Sequence, residues 1–358
     1  MDTDTPAAWA TAGKRWRLRR LADAQGFFAM VAIDQRPPIF AALAAALGCA
    51  PGAVPHEQVA LAKRVLAEGF AAQASALLVD PNWGYPAVAD VLDPARGLLL
   101  TLEDHRTSAD RRSRTIADWS VDQIRALGGD AVKLLAWYHP RAAVAVREHQ
   151  QALVQQVGEA CARCDVPFVL ELLLYPLPAG AAPSSHGAGT AASADAYVDD
   201  PAKRADEVLE SVQTFADARY RVDLFKLESP VPPAQVPAPG PDAAAAACAR
   251  AFDALHRACD GRPWVMLSAG AAAEDFERVV AHAAAAGAAG FLAGRALWSD
   301  ALALWADKAA MAQALATTGR MRLARLRQVM AERGRPWAPQ AWPLRLHDPQ
   351  GFPAMRRA

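Results

Sequence analysis

Residues 222–230 read VDLFKLESP, an apolar, strand-forming run that is closed by Ser229-Pro230 and carries a lysine in its middle. A run of this length and bounding reads as a short buried strand, where lysine is rare unless partnered. Lys226 therefore has two readings. It lies at an edge and snorkels its ammonium to water, or it stands in a dry pocket where its amine loses a proton and becomes a nucleophile. The same pattern recurs outward along the chain. FVLELLLY (168–175) and WVMLSAG (264–270) flank it, and FFAMVAID (27–34), ALLVD (76–80), GLLLTLED (97–104), AVKLLAWY (131–138) and GFLAGRALW (290–298) bring the set to eight. Helically spaced segments lie between them, such as SVDQIRALGG, VREHQQALVQQVGEACARC, DPAKRADEVLESVQTFADA and AAEDFERVVAHAAAAG, several with Ser, Asp or Glu in the first turn.

Strands alternating with helices imply a parallel sheet, and near-continuous apolarity implies that both faces are covered. Eight such units, with no G-x-G-x-x-G after the first strand, predict an α/β fold of the closed (β/α)8 TIM barrel type rather than an open dinucleotide-binding sheet. The chain reads as a single domain over residues 1–358, with a barrel core from about 22 to 300 and a C-terminal helix and Pro- and Trp-rich tail over 301–358. The stretches 177–198 and 231–242 read as loops after the fifth and sixth strands, at the catalytic end of such a barrel. The tail is expected to cover the barrel or to meet another subunit.

The 38 basic and 38 acidic side chains balance, so no global field favours nucleic acid or an anionic membrane. Small molecules are the expected partners. Five cysteines at irregular spacing make no disulfide framework, and Cys161-x-x-Cys164 lacks a second ligand pair for zinc. The opening MDTDTPAAWA is acidic where a secretory signal is basic, and the Ala-rich stretch near residue 285 is too weakly apolar to span a bilayer. A cytoplasmic protein is the default expectation.

Polar residues gather at the strand ends, where chemistry sits in a TIM barrel. They are Asp34-Gln35-Arg36, Asp80, Glu103-Asp104, Lys133, Glu171, Lys226 with Glu228, Ser268-Ala269-Gly270 and Gly294-Arg295. Any one of them reads as well as a structural ion pair as a catalytic group. Two lysines and a glutamate on three consecutive strands favour catalysis. A second ammonium near Lys226, away from water, lowers its pKa; the neutral amine attacks a ketone, and Glu171 moves the proton while the iminium accepts the electrons of a breaking carbon–carbon bond. The last two strand ends fit a phosphate site of backbone N–H groups, with Arg295 gripping the oxygens.

The ordered motifs VAIDQR (31–36), DWSVDQIRALGGDAVKLLAWY (118–138), DVPFVLELLLY (165–175), FADARYRVDLFKLESPV (215–231), LSAGAAAEDFERVV (267–280) and AGRALW (293–298) resemble the tagatose 1,6-bisphosphate aldolase family of class I aldolases, which includes the sulfofructose-phosphate aldolases. The resemblance implies a Schiff base between Lys226 and dihydroxyacetone phosphate, with Lys133 beside it. It implies proton transfer by Glu171, a substrate or catalytic contact at Asp34, and a phosphate site at Ser268, Gly270, Gly294 and Arg295. Gln35 and Arg36 complete the first-strand motif among the substrate-binding residues. No metal or other cofactor is expected, and the partners implied are a sugar phosphate and further copies of the chain in a homo-oligomer. The loop EDHRTSAD, Pro37-Pro38 and Tyr138-His139-Pro140 depart from the family pattern and leave the aldehyde half of the substrate open. His139 reads as a loop residue or a substrate contact. Two other functions compete with the aldolase. One is a metal-dependent aldolase or isomerase, against which the eight histidines fall mostly on helices and loops. The other is a sugar-phosphate-binding regulator, against which stand both lysines and Glu171, since sensing needs no electron sink.

Overall fold

In the computed structural model, which describes residues 11–104, 110–177 and 205–337, the eight apolar runs form a closed barrel whose strands follow chain order. They are β1 (Phe28–Ala32), β2 (Ala76–Val79), β3 (Gly97–Thr101), β4 (Ala131–Trp137), β5 (Phe168–Leu173), β6 (Leu224–Leu227), β7 (Trp264–Leu267) and β8 (Gly290–Ala293). Every pairing is parallel, and β8 closes on β1 with Phe28 opposite Gly290 and Val31 opposite Ala293. Each ladder is shorter than the run that encodes it. Asp34, Asp80, Glu103 and Glu228 lie past their strand ends, and of GFLAGRALW only the first four residues are extended because Gly294 turns the rest into a helix.

The helices are α1 (Ala12–Leu21), α2 (Pro37–Leu47), α3 (His56–Phe70), α4 (Gly84–Val88), α5 (Val121–Ala126), α6 (Val144–Arg163), α7 (Ala205–Phe215), α8 (Ala243–Ala258), α9 (Ala273–Ala286), α10 (Arg295–Leu302), α11 (Lys308–Ala314) and α12 (Arg320–Arg333). Alternation along the strands divides the core in two. Val31, Leu77, Val132, Leu170, Phe225, Leu227 and Phe291 point outward and pack with helix residues such as Leu66, Val154, Phe252 and Val279. Phe28, Met30, Ala76, Leu78, Leu99, Val169, Leu224, Val265 and Leu292 point inward, where Leu18 and Leu21 of α1 close the barrel floor over them. Lys14 anchors that helix through a buried pair with Asp223 at 2.6 Å, and Arg20 reaches Asp130 at 2.6 Å.

The Pro-rich loop after β6 is held against α9, since Arg278 Nε donates to Val236 O at 2.8 Å and His282 Nε2 lies 3.0 Å from Pro237 O. The loop after β5 lies outside the described residues from 178 on, as does the tail from 338 on. At the tail's start Trp337 packs on Phe28 with ring centroids 5.6 Å apart and donates its backbone N–H to Gly26 O at 3.0 Å, a barrel-covering contact. Cys161 is buried within α6 and Cys164 follows the helix, its thiol 3.2 Å from Asp122 Oδ1. Among the described residues no helix is long and apolar enough to cross a membrane.

Candidate active site

The register of β6 answers the question of Lys226. Phe225 and Leu227 face the helices, so Lys226 must face the barrel axis, and it sits directly opposite Glu171 of β5. Alternation on β4 likewise turns Lys133 inward, between Ala131 below and Leu135 above. The floor of the barrel is apolar, and the charges form the next level up.

Lys133 is the centre of that level. Its Nζ lies 3.0 Å from Asp34 Oδ2, 2.6 Å from Glu103 Oε1 and 2.7 Å from Glu171 Oε2. Lys226 Nζ is 2.9 Å from the same Glu171 oxygen. Both ammonium groups approach Oε2 off the hydrogen-bonding direction, so that oxygen has close cations without an aligned donor. Arg36 Nη2 adds a contact of 3.6 Å to Glu103. Asp34, Arg36, Glu103, Lys133, Glu171 and Lys226 are all buried, so three cations face three carboxylates in a charge-balanced cluster. Burial by itself would lower the Lys133 pKa, but its three carboxylates hold it above the ordinary lysine value. Burial would raise Asp34 and Glu171, yet Lys133 and Lys226 hold both below the ordinary carboxyl range. Glu171 thus stands between the two neighbouring ammonium groups, and a carboxylate within 2.9 Å offers Lys226 an internal proton acceptor.

These side chains line a cavity of about 130 Å³ at the carboxyl ends of the strands, together with Gln35, Pro37, Pro38, Ser113, Trp137, Leu173, Ser268, Gly294 and Arg295. Trp137, Leu173, Tyr175 and Leu267 form an apolar collar above the charges, and Arg111 lies over the Trp137 and Tyr175 rings at 5.5 and 5.0 Å. Asp34 Oδ1, Gln35 Oε1 and Arg36 Nε and Nη1 are buried without hydrogen-bond partners. Orphaned polar atoms around a cavity are what a polar ligand would satisfy.

The β7 and β8 ends converge opposite this cluster. Gly294 N–H donates to Ser268 Oγ at 3.4 Å, and α10 starts on Gly294 with no side-chain cap. Gly270 has φ +87°, and a Cβ there would stand 2.9 Å from Arg295 Cζ. At Gly294 a Cβ would stand 2.7 Å from Gln35 Nε2 and 3.0 Å from Ala32 O. The left-handed backbone at Gly270 favours glycine, and at Gly294 the Ala32 carbonyl leaves little room for a side chain.

The structure thus gathers Lys226, Glu171, Lys133, Asp34, Gln35, Arg36, Ser268, Gly294 and Arg295 at one cavity, with Gly270 against Arg295. Other strand-end residues have structural places. Asp80 pairs with Lys63, and Glu228 accepts the Leu174 N–H at 2.6 Å. His139 faces Glu207 of α7 at 3.7 Å and packs edge-on to Tyr175, away from the cavity lining. Pro37-Pro38 starts α2, where a missing N–H costs no hydrogen bond, and so fixes the exit from Arg36. The residue that sequence reasoning left out of the site is Glu103, which pairs with Lys133 and accepts the Leu135 N–H at 3.1 Å. Its signal was the two-residue alternation Leu99, Thr101, Glu103 continued past the strand.

A barrel of this topology with paired lysines and carboxylates in its mouth is the architecture of an aldolase. The profile described as DeoC/LacD family aldolase matches residues 28–300, and the chain belongs to that family. By family it is an aldolase, and so a lyase. It is 31% identical to a tagatose 1,6-diphosphate aldolase 2 of Streptococcus agalactiae over 91% of this chain and 98% of that protein. It is also 31% identical to the tagatose 1,6-diphosphate aldolase of Lactococcus lactis, with the same coverage. Among solved structures the fold matches a fructose-bisphosphate aldolase of Plasmodium falciparum, with TM-score 0.60 and 13% identity over 92% of this chain and 97% of that one. An archaeal fructose 1,6-bisphosphate aldolase matches with TM-score 0.54 and 14% identity over 87% and 99%.

Proposed function

We propose that the protein reversibly cleaves a ketose 1-phosphate, of the tagatose 1,6-bisphosphate or sulfofructose 1-phosphate type, into dihydroxyacetone phosphate and a three-carbon aldehyde through an imine at Lys226. The observation that carries this reading is Lys226 Nζ buried in the cavity 2.9 Å from Glu171 Oε2. Glu171 takes a proton from Lys226, and the free amine adds to the C2 carbonyl. Glu171 returns that proton to the carbinolamine hydroxyl, which leaves as water and gives the iminium. Glu171 then accepts the C4 hydroxyl proton, the C3–C4 bond breaks, and its electron pair flows into the iminium to leave an enamine as the aldehyde departs. Protonation at C3 and hydrolysis release dihydroxyacetone phosphate and restore the lysine.

Lys133 keeps its proton and holds the three carboxylates in place. Asp34, Gln35 and Arg36 line the cavity and serve substrate hydroxyls or the far end of the sugar. Ser268, Gly270, Gly294 and Arg295 hold the C1 phosphate, as the uncapped α10 terminus supports. Borohydride reduction in the presence of dihydroxyacetone phosphate is expected to inactivate the enzyme and place the adduct mass on the peptide containing Lys226. Adduct on Lys133 alone would reverse the assignment, and adduct on neither would end the imine mechanism.

A further inference from the structure

Lys63 sits on α3, outside the barrel wall, yet it is wholly buried. It is not among the residues lining the catalytic cavity, and neither is Asp80. Its ammonium donates to Ile33 O at 2.7 Å, to Gln35 O at 2.9 Å and to the Asp80 carboxylate. An ammonium has three donors, and all three are used. The two carbonyls belong to the residues on either side of Asp34. Asp80 is fixed in turn, because its Oδ1 accepts from Asn82 N–H at 3.0 Å and Trp83 N–H at 2.8 Å. A side chain at Gly84 would put its Cβ 2.9 Å from Asp80 Oδ2.

Stability alone is a weak reason for this pair, since a buried ion pair can often be replaced by apolar residues of similar volume without loss. Backbone geometry is a stronger one. The β1 ladder ends at Ala32, and after the bond from Ile33 N–H to Leu78 O at 2.9 Å the chain enters Asp34 without further strand pairing. The short segment that carries the cavity carboxylate is therefore clamped from behind by Lys63 rather than held by the sheet.

We propose that Lys63 and Asp80 form a positioning pair that sets the Asp34 carboxylate against Lys133 and the substrate by holding the carbonyls of Ile33 and Gln35. The proposal rests on the reading of Asp34 given above, and the test separates the two. Turnover of the ketose 1-phosphate is measured for Lys63→Met, Asp34→Asn and the double variant. Lys63→Met is expected to lower kcat roughly ten- to a hundredfold, as a small misplacement of a reacting group does, with KM changed far less. In the Asp34→Asn background the same change is expected to cost less than about twofold, because the group through which it acts has gone. An equal loss in both backgrounds, as a merely structural role would give, overturns the proposal, and so does wild-type kcat in Lys63→Met. Asp34→Asn with wild-type kcat would instead overturn the reading of Asp34. If Lys63→Met does not fold, Asp80→Asn enters the same cycle under the same criteria. It keeps an acceptor for the Asn82 and Trp83 amides and removes the anion that orients Lys63.

Discussion

The floor and the mouth of the barrel both bury lysine, but on different terms. At the floor Lys14 meets one carboxylate, Asp223, which also accepts the Phe168 N–H at 2.8 Å, and Leu18 and Leu21 of the same helix pack on the apolar floor. At the mouth Lys133 and Lys226 share Glu171, and Asp34, Gln35 and Arg36 keep buried atoms without partners. The first arrangement is closed and the second is left open toward a cavity. Lys14, Lys63, Lys133 and Lys226 are all buried, so a buried lysine alone does not mark an active site. The mark is a cluster beside a cavity whose hydrogen-bonding capacity is unfinished.

That contrast can be broken most forcefully at Glu171. Glu171→Gln is expected to lower turnover by about 10²–10⁴-fold, the usual worth of a general acid–base group, while Lys226 remains trappable by borohydride. A variant of reduced melting temperature that keeps near-normal turnover would make Glu171 only a structural partner of the lysines. The floor should respond in the opposite way. Lys14→Met leaves Asp223 buried without its cation, so thermal or denaturant unfolding should show a loss of about 3–5 kcal/mol with kcat unchanged below the melting transition. A large fall in kcat in a folded sample would abolish the distinction between the two ends.

Arg295→Ala sharpens the comparison within the mouth. Apparent affinity for the phosphorylated substrate should fall roughly ten- to a hundredfold, as expected for a charge-assisted phosphate contact, with little change in melting temperature. Unchanged affinity in a folded variant would remove Arg295 from the site. The smallest effect concerns acid. Asp34 and Glu171 are held below the ordinary carboxyl range, so their stabilising pairing is fully present above about pH 4 and is lost as pH falls through the depressed folded values. The melting temperature of Asp34→Asn should therefore fall less steeply than that of the wild type on acidification. An equal slope would place the acid-sensitive charge elsewhere.

Much of this was legible in the chain because strand alternation is a rigid rule. Lys226 between Phe225 and Leu227, and Glu171 between Leu170 and Leu172, could only face inward once the helix-facing neighbours were recognised. The small residues of LSAG and AGRALW likewise marked the crowded strand ends where Gly270 lies against Arg295 and Gly294 against Gln35. Tertiary partners were not legible. Nothing near Glu103 in sequence says that it reaches Lys133, and Lys63 sits in an ordinary amphipathic helix pattern although it supports a strand end 28 residues away. The apolar run GFLAGRALW spans the turn at Gly294, where periodicity alone cannot tell four strand residues from the helix that follows.

The contact between Trp337 and Phe28 has a consequence for how the protein is made. The floor is lined from one end of the sequence by Leu18 and Leu21 and from the other by Trp337. A chain growing on the ribosome exposes Phe28 early, and the aromatic ring that packs on it emerges more than three hundred residues later. Until then the nascent barrel lacks part of its floor. Final sealing therefore waits for the segment that carries Trp337, and chains that stop before it should depend more heavily on chaperones to stay apart, seen as a larger insoluble fraction on expression.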